Sequence, residues 1–156
     1  MKVEHINPFI ESVYDLFSTM IQCEVKKGDI GVIKSFPQSL DIIGLIGLSG
    51  ETRGNVAMSF PISTALALVS RLLGTEIRVV DATVSDGIAE IVNIVAGGAK
   101  KRLSLGTPSN LSLPTIVRGN SFSIDYPSET VWLEVPFTSE LGPFTLRVTF
   151  EVIKEK

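Results

Sequence analysis

The run Ile42-Ile43-Gly44-Leu45-Ile46-Gly47-Leu48, then Ser49-Gly50-Glu51-Thr52-Arg53-Gly54, then Asn55-Val56-Ala57-Met58-Ser59-Phe60 decides the fold class. The first part, 41–49, is a short apolar run broken by glycines, which suits a buried strand better than a helix. Ser49 to Gly54 has turn composition, and 55–60 reads as the return strand. Strands joined by so short a connection must run antiparallel, because a parallel pair needs a crossover of a dozen or more residues. Pro61 then ends the strand.

Working outward, Ile62 to Leu73 reads as a helix stopped by Gly74, a residue suited to the left-handed position after a helix. Thr83 to Leu103 is the longest helical segment, and Gly106-Thr107-Pro108-Ser109-Asn110 breaks the chain after it. Strands are expected at 111–118, 121–126 and 130–137, with Trp132 and Phe137 in strand and core positions. A last strand, 143–153, alternates Phe144, Leu146, Val148, Phe150 and Val152 with Thr145, Arg147, Thr149 and Glu151, the pattern of a half-buried strand. Upstream, Asn7 is a candidate N-cap and Pro8 a first helical residue for a helix over 8–22, carrying Phe9, Val13, Leu16, Phe17 and Met20. Residues 23–35 read as a strand or hairpin around Gly28-Asp29. The expected architecture is α+β: a single domain over 1–156, with a largely antiparallel sheet and helices packed against it.

Composition narrows function. Of 156 residues, 44% are apolar and 20% charged, a globular balance. The net charge of −3 and the lack of any basic cluster longer than Lys100-Lys101-Arg102 argue against a nucleic-acid partner. No apolar run is long enough to span a bilayer, and the first residues lack the apolar centre of a signal peptide, so a cytoplasmic protein without membrane insertion is expected. One cysteine, Cys23, and one histidine, His5, cannot supply a zinc site, and Ser-His-Asp or Cys-His chemistry would have to use His5, among the first residues, which argues against nucleophilic catalysis of that type. Gly44, Gly47, Gly50 and Gly54 match no phosphate-binding loop and are expected as turn and strand glycines. Glu11 and Glu51 have no partner readable from sequence and are expected to be solvated.

The long helix carries the remaining signal. At 100° per residue, Val84, Ile88, Ile91, Val92, Val95 and Ala99 fall on one arc. Asp86, Glu90, Asn93 and Gly97 fall on the opposite side, spaced four, three and four apart, in one line along the axis. A polar stripe opposite an apolar one is also what any solvated surface helix shows. Asp86 has a structural reading as well, since Thr83-Val84-Ser85-Asp86 fits a capping box. Gly97 and Gly98 each cost a helix about 1 kcal/mol against alanine. That cost invites an explanation by close approach, whether of another chain or of a neighbouring element.

The pattern Asp86-x-x-x-Glu90-x-x-Asn93, with Pro114 downstream in Leu111-Ser112-Leu113-Pro114-Thr115, resembles the signature of the CheC/CheX/FliY phosphatases. Asn7-Pro8-Phe9-Ile10 and the strand-turn-strand from Gly44 to Pro61 are similar to the same family, so the resemblance covers most of the chain. Helix one offers Asn7, Glu11 and Tyr14 at the matching spacings, with Tyr14 where a second motif would have Asn. One intact motif resembles the CheX-like branch, which implies a homodimer. The resemblance implies a phosphatase acting on the phosphoaspartate of a CheY-like response-regulator receiver domain in bacterial chemotaxis. It implies no cofactor in this chain and a Mg²⁺ on the partner receiver. Asn93 would position the attacking water, and Glu90 would dock on the receiver lysine. Asp86, Ile94 and Gly97 would contact the receiver. The alternatives are a CheX-like adaptor that binds a receiver without turning it over, and a structural homologue with no chemotaxis role.

Overall fold

The computed structural model describes residues 3–34, 40–50, 52–103, 109–122 and 131–152. The decisive hairpin is present: β3 (Leu40–Gly50) pairs antiparallel with β4 (Thr52–Phe60), in a register running from Ile42↔Phe60 to Leu48↔Gly54. The other strands are β1 (Val25–Lys27), β2 (Gly31–Ile33), β5 (Ser109–Leu111), β6 (Thr115–Phe122), β7 (Trp132–Ser139) and β8 (Phe144–Val152). The sheet runs β1-β7-β8-β4-β3-β5, with β2 also on β7 and β6 also on β3, and every pairing is antiparallel. One edge is therefore β1 followed by β2. They are separated at Gly28, whose N–H donates to the Pro136 carbonyl at 2.7 Å. A Cβ there would lie 2.9 Å from the Pro136 ring, so only glycine fits without a shift. The other edge is β5 followed by β6, with Pro114 between them. The strands expected at 111–118 and 121–126 are thus divided differently, because proline at 114 has no N–H to offer the ladder. Residues 123–130 lie outside the described residues, as do Glu51 and 104–108.

Three helices, α1 (Asn7–Leu16), α2 (Ile62–Leu73) and α3 (Ala82–Arg102), pack on one face of the sheet. That face is set by alternation: Ile42, Ile46 and Leu48 of β3, Val56, Met58 and Phe60 of β4, Leu133, Val135 and Phe137 of β7, and Phe144, Leu146 and Val148 of β8. Phe144 stacks on Phe17, Phe60 and Phe137 at centroid distances of 5.3, 5.7 and 5.0 Å, joining α1's extension to three strands.

Two helix starts differ from the sequence expectation. The N-cap of α1 is Ile6, without a side-chain bond, and a 3-10 turn over Val3–Ile6 feeds directly into the helix. Asn7 is therefore already helical and does not cap; the preceding turn supplies the entry that a cap would otherwise define. In α3 the N-cap is Asp81, whose carboxylate accepts from the Thr83 N–H at 2.9 Å. Asp81 is extended (φ −142°) and one residue ahead of the helix, so it takes the role assigned to Thr83. Asp86 then lies beyond the first turn and has no capping function. The first helix also continues past Leu16 as a π-helical turn, Phe17–Ile21, which ends at Gln22 in the left-handed conformation.

The back of the sheet is also apolar in part. Ile43, Ala57 and Trp132 are fully buried there, with Ile33, Leu45 and Val117 against them. Arg147, expected on a solvated strand face, is only 4% exposed. Its Nε donates to Glu134 at 2.8 Å and its Nη1 to the Ser59 hydroxyl at 2.6 Å. The register places Glu134 directly opposite Arg147, so the sheet itself brings the charges together.

Candidate functional site

The seating of α3 determines what it presents. Val84, Ile88, Ile91, Val92, Val95 and Ala99 are all buried, as the sequence periodicity predicts. Beneath the helix, Gly44 of β3 leaves room for Val92, whose methyl lies 2.5 Å from where a Cβ would stand, with Ile88 at 3.4 Å. On one flank, Gly87 lets α2 approach, since a Cβ there would meet Val69 at 2.7 Å. About three turns further along the same flank, Gly98 faces Ser12 of α1, whose hydroxyl oxygen is the first atom an added Cβ would strike. The sheet thus lies beneath α3, α2 and α1 line one flank at successive levels, and the side away from the sheet is left open.

The open side carries the polar line. Asp86, Glu90 and Asn93 are exposed, and Gly97 is half-buried with nothing within 4 Å of an ideal Cβ. Among the described residues, no hydrogen bond or ion pair engages the side chains of Asp86, Glu90 or Asn93. Glu90 and Asn93 lie one turn apart, about 4.5 Å along the axis at 1.5 Å per residue. A free carboxylate and a free carboxamide therefore point outward from a rigid, well-seated element. Ile94 is half-buried and packs against the main core, so only part of its side chain is available beside Asn93.

The corresponding positions on α1 are occupied. Glu11 is not merely solvated: it pairs with Arg102 Nε at 3.3 Å, and Asp15 pairs with the same guanidinium. The Tyr14 hydroxyl accepts from the Lys27 N–H at 3.1 Å, and its ring meets Phe137 edge-on at 6.3 Å. These contacts tie α1 to α3 and to β1. Pro114 follows Ser112, whose Oγ accepts from the Gly47 N–H at 2.8 Å and whose own N–H donates to the Gly47 carbonyl at 2.9 Å.

Sequence reasoning missed Asp81, Ser12 and Arg102. Asp81 was legible as an N-cap residue type two positions ahead of Thr83. Ser12 and Arg102 act across 82 or more residues of sequence separation, which no local pattern reveals. Among the described residues, no group of three or more His, Cys, Asp or Glu side chains is placed to hold a metal ion. No described helix is long and apolar enough to cross a membrane.

The family model described as chemotaxis phosphatase CheX matches residues 42–138. The "CheY-P phosphatase CheX" of Thermotoga maritima is 29% identical over 126 residues, covering 80% of this chain and 81% of that protein. A CheC-like superfamily protein from Shewanella sp. PV-4 superposes with a TM-score of 0.86 at 32% identity, covering 97% of this chain and 99% of the other. The CheX of a Borrelia burgdorferi CheX–CheY complex, solved with beryllium fluoride and magnesium, shares the fold at a TM-score of 0.81 and 22% identity, covering 96% and 99%. The match runs from the decisive hairpin through the seated helix into β7, and on it the chain belongs to the chemotaxis phosphatase CheX family.

Proposed function

We propose that this chain hydrolyses the phosphoaspartate of a CheY-like receiver domain in chemotaxis signalling, with Asn93 positioning the attacking water and Glu90 docking the receiver. The observation that carries the reading is the pair itself: an unengaged carboxylate and an unengaged carboxamide, one turn apart on the open side of α3. Membership of the CheX family and the Thermotoga maritima relative's name supply the substrate class.

The chemistry asks little of the protein. A phosphoaspartate is an acyl phosphate and already activated. Water attacks phosphorus, the new P–O bond forms, the bond to the aspartyl oxygen breaks, and the products are a free carboxylate and inorganic phosphate. What this chain has to add is alignment of the water, which converts a rare encounter into a held geometry. A carboxamide offers a donor and an acceptor in one plane, so Asn93 can hold the water from one side and direct its lone pair from the other. It does not ionise, so it is a positioner and not a general base. Glu90, one turn earlier, supplies a negative charge for a lysine on the receiver and fixes the register of the two proteins. Asp86, further along the same line, contacts the partner, as do the exposed part of Ile94 and the bare backbone at Gly97. The Mg²⁺ belongs to the receiver; it neutralises charge on the phosphoryl group there.

A homodimer is part of the same proposal. The sheet ends in two edges, β1 with β2 and β5 with β6, and an open edge offers unpaired backbone groups to a second copy. The test of function is phosphate release from a phosphorylated chemotaxis receiver with Mg²⁺ and catalytic amounts of this chain. Acceleration supports the phosphatase. Binding without acceleration across the receivers of one cell supports the adaptor.

A further inference from the structure

The contact between Ser12 and Gly98 sits on the same stretch of helix as Asn93, and nothing in the reading above uses it. Ser12 is 3% exposed, and its hydroxyl donates to the Ile94 carbonyl at 3.5 Å. That carbonyl belongs to the residue after Asn93, and it is the acceptor to which Gly98 would donate in the helix ladder. Ser12 therefore lies in a notch whose two walls are Ile94 and Gly98, and the notch exists because residue 98 has no side chain. Just beyond it, Arg102 donates to the Gly98 carbonyl at 3.1 Å and reaches back to Glu11 and Asp15. α1 thus grips α3 over about two turns, from Ile94 to Arg102.

We propose that Ser12 and Gly98 form a positioning contact that sets the seating of the C-terminal half of α3 and with it the position of the Asn93 carboxamide. The mechanical reason is that α3 is already held further back along its length. Val92 is seated over Gly44, and Gly87 is against Val69. Bulk added at the Ser12 notch pushes the C-terminal half of α3 away from α1 while the N-terminal half stays against α2, so the helix swings about the Gly87 contact. Asn93 is six residues beyond Gly87, about 9 Å along the axis, whereas Glu90 is three residues beyond it, about 4.5 Å. Such a swing accordingly displaces the amide more than the carboxylate. Water alignment suffers before docking does, because misplacement on the order of 1 Å is enough to slow an aligned reaction by about 100-fold.

The inference rests on the phosphatase reading, and the experiment separates the two. Receiver dephosphorylation is measured for the full chain, Gly98→Ala, Ser12→Gly and the double variant, with kcat and KM resolved and the folded fraction fixed by circular dichroism. Gly98→Ala should lower kcat by about tenfold or more while KM changes by less than about twofold. Combining it with Ser12→Gly, which vacates the space the new methyl needs, should return kcat to within about threefold of the parent. A merely structural contact would change the folded fraction and leave kcat per folded molecule untouched. Should Gly98→Ala fail to fold, the double variant still decides: native kcat supports the notch, and a kcat tenfold down overturns it. A fully active Gly98→Ala would overturn the positioning role alone. No acceleration by the parent chain would overturn the phosphatase reading, and the positioning role with it.

Discussion

At the scale of single residues, the three glycines of α3 have three different explanations. Gly87 and Gly98 are required by neighbours, Val69 and Ser12, whose atoms occupy the space a Cβ would need. Gly97 is required by nothing in the fold. An interior helical glycine is about 1 kcal/mol less stable than alanine, so Gly97→Ala should raise the unfolding free energy by about that amount in a urea titration. On the proposed docking face the same methyl should raise the KM for a phosphorylated receiver. A loss of stability instead would mean that packing around Gly97 is tighter than the open space on that side of α3. The sequence singled out the pair Gly97-Gly98 but could not divide it, because the division depends on Ser12, far away in the chain.

At the scale of elements, α3 was legible in its interior and misread at its start. The 3.6-residue period placed Val84, Ile88, Ile91, Val92, Val95 and Ala99 on the buried arc, and all six are buried. Periodicity is strong in the middle of a long helix and silent about its first residue. Thr83 and Asp81 are both capping residue types, and only backbone geometry chooses between them. Asp81→Ala should therefore lower stability by about 1 kcal/mol, read as a shift in the urea midpoint, while Thr83→Ala should cost less. The outward line Asp86-Glu90-Asn93-Gly97 was legible because one helix carries all of it. Its local support was not, because Ser12, Glu11 and Asp15 come from α1 and Val69 from α2. The hairpin of β3 and β4 was read correctly from its short turn. The split of the 109–122 region into β5 and β6 was not, since both strands take their register from β3 and only Pro114 marks the break.

For the whole molecule, the sheet separates a helix-covered face from a second, partly apolar one. The helices and the exposed pair lie in front, while Arg147, Glu134, Ser59 and Trp132 lie behind. The sequence read Arg147 as solvated because strand alternation alone implies one wet face; it does not reveal that the back of the sheet is buried as well. Glu134→Ala leaves a nearly buried guanidinium without that carboxylate. It should lower stability by about 2–3 kcal/mol, below the range for a fully buried pair because Glu134 keeps 27% side-chain exposure. Turnover per folded molecule should be unchanged, since α3 sits on the other face. A parallel fall in turnover would mean that the two faces are coupled through the sheet.

The account stands or falls on whether an amide on an otherwise inert helix face accelerates hydrolysis in a second protein. The direct measurement is phosphate release from a phosphorylated CheY-like receiver with Mg²⁺, in the presence of this chain or of its Asn93→Ala variant, with receiver binding measured alongside. Faster release by the parent chain, lost by about 100-fold or more in Asn93→Ala while receiver affinity stays within about threefold, is the predicted result. Equal release by the two proteins would contradict it, because a water held by Asn93 would then play no part in the reaction.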